Sequence, residues 1–119
     1  MIMKLDFSSS TPIYQQIRDQ MVQAVADGTL SNGDKLPTIR ALAQEAGINT
    51  MTVNKAYQLL KQEGYIITDR RNGAVVQGTG GGRGEVEKKI RKKLELMISE
   101  AKIAGISEET FLNICRELY

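Results

Sequence analysis

The chain has 119 residues, of which 41% are hydrophobic and 25% are charged, and its net charge is +2. This composition fits one ordinary domain, or a small domain with an appendage, and excludes a largely disordered chain. The lack of His and the presence of one cysteine, Cys115, argue against a metal site, a disulfide and an enzyme. A secretory signal pattern and a run of about 18 apolar residues are both missing, which predicts a cytoplasmic protein without membrane contact.

Two helices are predicted before residue 48. The first starts with Thr11 as its N-cap and Pro12 as its first helical residue, and it ends near Gly28. Turn residues follow, and Thr38 then caps a second, shorter helix that ends at Gly47. The connection to the next helical pattern is very short, so the sequence predicts a tightly joined helix pair.

The third helix is capped by Asn49 or Thr50 and lasts to about residue 63, with Gly64 as its stop. Two short β-branched runs come next, at residues 65–68 and 74–77, and a polar turn with a glycine separates them. These runs predict a β-hairpin.

A glycine-rich stretch at residues 78–84 is typical of a flexible linker, and two amphipathic helices are predicted in residues 85–119. One helix cannot bury the apolar stripe alone. Burial between two copies of the chain is therefore predicted, and folding of the tail onto the first domain is the alternative. The candidate dimer-interface residues are Val86, Ile90, Leu94, Met97, Ile98, Ala101, Phe111, Leu112, Cys115 and Leu118.

The third helix has two contrasting faces at about 100° per residue. Val53, Ala56, Tyr57 and Leu60 form the apolar face. The opposite face carries amide, hydroxyl, amine and thioether groups, which can donate to phosphates or address base edges, and it has no carboxylate to repel DNA. A polar helix face or a basic turn, taken alone, is more often ordinary solvent-exposed surface than a DNA contact. For Met51, the alternative to a DNA contact is packing of its side chain into the core. The candidate DNA-binding residues are Thr38, Arg40, Asn49, Thr50, Met51, Thr52, Asn54, Lys55, Gln58, Arg70, Arg71, Asn72 and Gly73.

From Pro12 to Val76 the chain resembles the winged helix-turn-helix domain of GntR-type bacterial transcription regulators. The matching pieces are PIYQQI, DGTLSNGDKLPTIRALAQEAGI, TVNKAYQLLKQEGYI and NGAVV, and the short tail is most similar to the YtrA subfamily. The resemblance implies an α+β, mainly α fold: a winged helix-turn-helix domain at 1–77, with three helices and a β-hairpin wing, and a two-helix dimerisation segment at 85–119. It also implies DNA-contacting roles for Arg40, Thr52 and Gly73.

Four positions depart from the pattern of that family. Many members have arginine where this chain has Thr50 and Asn54, which predicts a different base preference. Ala41 replaces the glutamate of a capping box, so Thr38 alone caps the second helix. Arg71 replaces the first glycine of the wing, which adds charge and brings the backbone geometry of the wing into question.

The predicted function is a sequence-specific DNA-binding regulator. The resemblance implies a homodimer on a pseudo-palindromic operator in double-stranded DNA, acting as a repressor of a transporter-type operon that includes its own gene. No cofactor is predicted. About 40 residues cannot enclose an effector pocket of ~300 Å³, so a small-molecule effector would bind at an interface. The alternative function is a winged-helix protein-interaction module without specific DNA binding.

Overall fold

The computed structural model describes residues 3–78 and 82–119, which form two compact units on either side of residues 79–81. Within these ranges the elements are α1 (Ile13–Ala26), α2 (Ile39–Ala46), α3 (Thr50–Gln62), β1 (Ile66–Asp69), β2 (Gly73–Val76), α4 (Arg83–Ile103) and α5 (Glu108–Leu118). The strands form an antiparallel hairpin. The predicted α+β, mainly α class is confirmed. In the described part of the chain, every helix falls short of the length or the apolar character that a membrane span requires.

The first unit is built around α3, which packs against α1, α2 and β1. All four residues predicted for the apolar face of this helix are buried, and they meet Ile17 and Met21 of α1 and Leu42 of α2 in one core. Burying one large aliphatic side chain contributes about 1.5–3 kcal/mol, so this packing fixes the rotation of α3 about its axis. The polar face of α3 is thereby turned to solvent.

The predicted start of the first helix is wrong by one residue. Pro12 occupies the N-cap position in extended geometry, with ψ at 149°, and no side chain caps the helix. The Thr11 hydroxyl therefore lies one residue too far from the helix to cap it. Instead, the Thr11 carbonyl accepts a hydrogen bond of 2.9 Å from the side-chain amide of Gln16.

The next two helices start where the sequence predicts. The Thr38 hydroxyl accepts from the backbone N–H of Ala41 at 3.0 Å, and the Asn49 side-chain oxygen accepts from Met51 N–H at 2.7 Å. Asn49, rather than Thr50, is thus the cap of α3. Between the helices, Gly47 adopts a left-handed conformation with φ at 68°, which glycine reaches without the steric cost of a Cβ. These caps define the short turn of a helix-turn-helix.

The hairpin turns through residues 70–72 and is closed by side-chain hydrogen bonds. The Asp69 carboxylate accepts from the backbone N–H groups of Arg71 and Asn72. Gly73, with φ at 67°, supplies the left-handed residue of this turn. Arg71 has a negative φ, so the turn forms without a glycine at that position. On the other edge of β2, the Val76 carbonyl accepts a hydrogen bond of 2.8 Å from Gly33 N–H. This bond holds the hairpin to the rest of the first unit.

Replacing Gly73 with Ala is expected to lower the free energy of unfolding by about 1–2 kcal/mol, because alanine disfavours a positive φ. Nothing lies within 4 Å of an added Cβ at this position, so the cost is conformational and not steric. Gly73→Asn should cost less, since asparagine tolerates the left-handed region better. Thermal unfolding of the two variants measures the difference. Equal losses for Ala and Asn would contradict this account.

The second unit consists of α4, a short turn and α5. The helix α4 starts at Arg83, so it includes Arg83 and Gly84 of the predicted linker, while residues 79–81 of that linker lie outside the described residues. Ser107 caps α5, as its hydroxyl accepts from Thr110 N–H at 3.1 Å. Ala101 is the one buried residue of α4, and no residue of α5 is buried. The two tail helices therefore leave most of their apolar stripe exposed.

Candidate nucleic-acid interface

The exposed face of α3 has the polar character that the sequence predicts. Asn54, Lys55 and Gln58 are exposed. Met51 is 75% exposed, so the core-packing alternative for this residue is excluded. Thr50 is also exposed, and Thr52 is half-buried at the margin. The face thus offers amide and amine donors together with one apolar group that suits a thymine methyl.

A groove of about 290 Å³ runs between α3, the start of α2 and the hairpin. Five predicted DNA-binding residues line it, and they come from three separate elements. These residues are Thr38, Asn54, Gln58, Asn72 and Gly73. Fold packing thus brings the amide-rich side of α3 beside the hairpin turn. The other predicted residues do not line this groove: Arg40, Asn49, Thr50, Met51, Thr52, Lys55, Arg70 and Arg71.

Among the other residues that line the groove, Lys61 and Thr68 are polar residues that the sequence analysis missed. Lys61 follows Gln58 by three residues and Asn54 by seven, which is the spacing of one helix face. That spacing was a usable signal. Thr68 lies two residues after the buried Ile66 and so shares its side of β1, beyond the point where the core ends. Lys61 adds an ammonium group that can meet a phosphate.

The capping residues have a structural role before any contact with DNA. The side-chain oxygens of Thr38 and Asn49 both accept from backbone N–H groups. A threonine hydroxyl can still donate its hydrogen, and an asparagine amide can still donate through its NH₂ group. Both residues can therefore face a phosphate while they hold a helix end in place.

One acidic residue near the end of α3 is neutralised by a residue of α1. Arg18 Nε and Nη2 donate to the two oxygens of Glu63 at 2.9 and 2.7 Å, and the Arg18 guanidinium also lies 5.7 Å from the centroid of the Tyr65 ring. The hydrogen bond to Glu63 raises the pKa of Arg18 above its already high value. Because 45 residues separate the partners, no local pattern signals this pair. It ties the end of α3 to α1.

Tyr57 connects α3 to the segment before α2. Its side chain is buried, and its hydroxyl donates to the Pro37 carbonyl at 2.7 Å. Burial raises the pKa of Tyr57 above its ordinary value. The helical spacing predicts a core position for this residue, and the hydrogen bond adds a second role. It holds the N-terminus of α2, with Thr38 and Arg40, against α3.

Tyr57→Phe is expected to lower the free energy of unfolding by about 1 kcal/mol at pH 7, since the Pro37 carbonyl loses its donor. Because the folded protein raises the pKa of this hydroxyl, the unfolded chain loses the proton first. The contribution of the Tyr57 hydroxyl to the free energy of unfolding is therefore fully present below about pH 10 and is lost as the pH rises further. Urea unfolding at pH 7 and pH 10.5 measures both effects. The gap between wild type and variant should narrow at high pH, and a constant gap would contradict the assignment.

The second unit contains a separate apolar groove of about 480 Å³ between α4 and α5. Six of the predicted dimer-interface residues line it: Leu94, Ile98, Ala101, Phe111, Leu112 and Cys115. Ile106 lines the groove as well and was missed, because it belongs to the break between the two predicted helices. The remaining predicted residues lie outside the groove, and they are Val86, Ile90, Met97 and Leu118. The groove is open to solvent and is lined mainly by apolar side chains.

A tightly joined helix pair with an exposed polar second helix and an adjacent β-hairpin defines a winged helix-turn-helix DNA-binding domain. Residues 13–76 match the family model described as bacterial regulatory proteins, gntR family. The chain therefore belongs to the GntR family of bacterial transcription regulators, a family of DNA-binding proteins and not of enzymes.

Similar proteins extend this match over nearly the whole chain. The HTH-type transcriptional repressor YtrA of Bacillus subtilis (strain 168) is 37% identical over 98% of this chain and 92% of that protein. A crystal structure of a transcriptional antiterminator from Listeria monocytogenes EGD-e has a TM-score of 0.91 at 28% identity, covering 99% of this chain and 90% of its own. YtrA from Sulfolobus acidocaldarius, a GntR-family transcription factor, has a TM-score of 0.65 at 43% identity, covering 80% and 99% respectively. The resemblance to the YtrA subfamily is confirmed.

Proposed function

We propose that this protein is a homodimeric, sequence-specific repressor that binds a pseudo-palindromic operator through residues 1–77 and dimerises through residues 85–119. The observation that carries the proposal is the exposed face of α3, which is rich in donors, has no carboxylate beside its groove, and lies next to a basic hairpin turn. Such a surface suits a polyanionic duplex.

In the proposed complex, α3 enters the major groove and α2 lies across the backbone. Asn54 and Gln58 address base edges, because carboxamides pair with adenine in a bidentate manner, and the exposed Met51 side chain contacts a thymine methyl. Arg40, Lys55 and Lys61 neutralise phosphates. The turn with Arg70, Arg71 and Asn72 contacts the neighbouring part of the duplex. The base contacts determine the sequence, and the phosphate contacts determine register and affinity.

Dimerisation is proposed because the second unit leaves an apolar groove and stripe exposed. Ile90 is 49% exposed, Met97 is 51% exposed and Leu112 is 42% exposed. A second copy can cover these side chains through a self-complementary, twofold interface. On an inverted-repeat operator, the two copies of α3 would bind half-sites one helical turn, about 34–36 Å, apart.

Repression of a transporter-type operon that includes its own gene is the most specific part of the proposal. Repression is supported by the 37% identity to a B. subtilis protein named as a transcriptional repressor, whereas the transporter-type operon is only what the resemblance to the YtrA subfamily implies. A dimer bound to an operator within a promoter blocks transcription by occupying the DNA. Any small-molecule effector would bind at the dimer interface, where the two copies together can enclose it.

Fluorescence anisotropy tests this proposal with a labelled duplex taken from the region upstream of the protein's own gene. The protein should bind it tightly, lose affinity steeply between about 50 and 200 mM salt, and resist competition by a scrambled duplex. Equal and weak binding to both duplexes at both salt concentrations would contradict it. That outcome would favour the protein-interaction module as the function.

A further inference from the structure

Lys55 of α3 makes a specific contact with α1. Its ammonium nitrogen lies 4.1 Å from the centroid of the Tyr14 ring. A lysine ammonium over an aromatic face at this distance is attracted by the ring quadrupole, an effect that operates within about 6 Å. The Tyr14 ring is half-buried and packs against the hydrophobic core of the unit, so it is a fixed support.

This contact lies at the margin of the α3 face that is opposite to the hairpin. Around the helix, Asn54 and Gln58 point to the groove beside the hairpin, whereas Lys55 points to the α1 side. Tyr14 is in the first turn of α1. The polar face of α3 is thus bordered by the hairpin on one side and by Tyr14 on the other.

A lysine side chain with its long, flexible stem loses conformational freedom when it binds a phosphate. Contact with a ring on one side leaves the N–H donors of the ammonium available on the other side. A lysine that is already extended over a fixed ring loses less freedom on binding, which is preorganisation. The electrostatic attraction to a phosphate is retained.

We infer that Tyr14 is a positioning residue of the DNA interface, whose ring holds the Lys55 ammonium at the α1 side of α3, in place to meet a backbone phosphate. The inference rests on the proposed DNA-binding function and extends its interface to the first turn of α1. Tyr14 acts through Lys55, by means of its ring and not its hydroxyl.

A double-mutant cycle on the full chain tests this role, with operator affinity measured by anisotropy. Tyr14→Leu should weaken binding about fivefold to thirtyfold, since each change occurs in both half-sites. Tyr14→Phe keeps the ring and should therefore retain most of the wild-type affinity. With Lys55→Met as the background, Tyr14→Leu should cause no further loss. Equal losses from Tyr14→Leu in both backgrounds would overturn the inference, because the tyrosine would then act independently of Lys55.

A second readout works without DNA. In wild type and in Tyr14→Phe, the ring current should shift the NMR signals of the Lys55 ε-methylene group upfield, and Tyr14→Leu should abolish that shift. No shift in wild type would overturn the inference by itself. If the wild-type protein instead shows the shift and binds no duplex specifically, the proposed function fails and the positioning role fails with it. Specific binding by wild type with an additive cycle overturns only the role of Tyr14.

Discussion

Leu112→Asp is expected to convert the proposed dimer into a monomer and to weaken operator binding by about 100-fold or more. Leu112 lines the apolar groove of the second unit and is 42% exposed, so a large part of its side chain is open to solvent in the single chain. In a twofold interface the aspartate would be buried twice without a partner, at a cost of several kcal/mol for each copy. A monomer binds one half-site and loses the benefit of the second.

Leu96→Asp is the matched control for this experiment. Leu96 belongs to α4 and is 66% exposed, but it lies outside both the predicted stripe and the groove. Leu96→Asp should leave the proposed dimer and its affinity for the operator unchanged. Sedimentation equilibrium distinguishes one 13.2 kDa chain from two. If Leu112→Asp sediments as wild type does, the proposed dimer interface is wrong.

Gln58→Glu is expected to weaken operator binding by about 100-fold while leaving the fold and the dimer intact. Gln58 is exposed on α3 and lines the groove beside the hairpin. A carboxylate at this position removes an amide donor and places negative charge against the phosphates of the major groove, in both half-sites.

Gln23→Glu makes the same chemical change on the exposed surface of α1, away from the groove. Both variants lower the net charge equally, so a general charge effect would weaken binding by the same factor. Anisotropy titrations at one salt concentration separate the two explanations. Similar losses for Gln58→Glu and Gln23→Glu would contradict the docking of α3 in the groove of DNA.

The sequence predicted the features of this fold that depend on residues close together in the chain, which are the buried side of a helix and its caps. Helical spacing identified which side of α3 is buried, because Val53 and Leu60 recur at intervals that only one face can satisfy. The caps Thr38 and Asn49 could be found because short polar side chains satisfy backbone donors near their own position. The start of α1 was misplaced because proline is compatible with both the N-cap and the first helical turn.

Contacts between distant segments could not be predicted. The pairs Arg18–Glu63 and Tyr14–Lys55 depend on how α1 crosses α3, and the angle of that crossing is set by the whole core. The same holds for the groove that joins Lys61 to Thr68. A single sequence shows which side chains carry charge, but their partners become known only once the helices are packed.

The sequence preference of the protein can be measured on random DNA, with no target chosen in advance. Selection of bound duplexes from a random library at about 150 mM salt, followed by sequencing, tests the central claim that two copies of α3 read DNA. We expect enrichment of two inverted half-sites whose centres are one helical turn, about 34–36 Å, apart, and loss of that enrichment in Gln58→Glu. Recovery of no common sequence, or of a single half-site without symmetry, would contradict it.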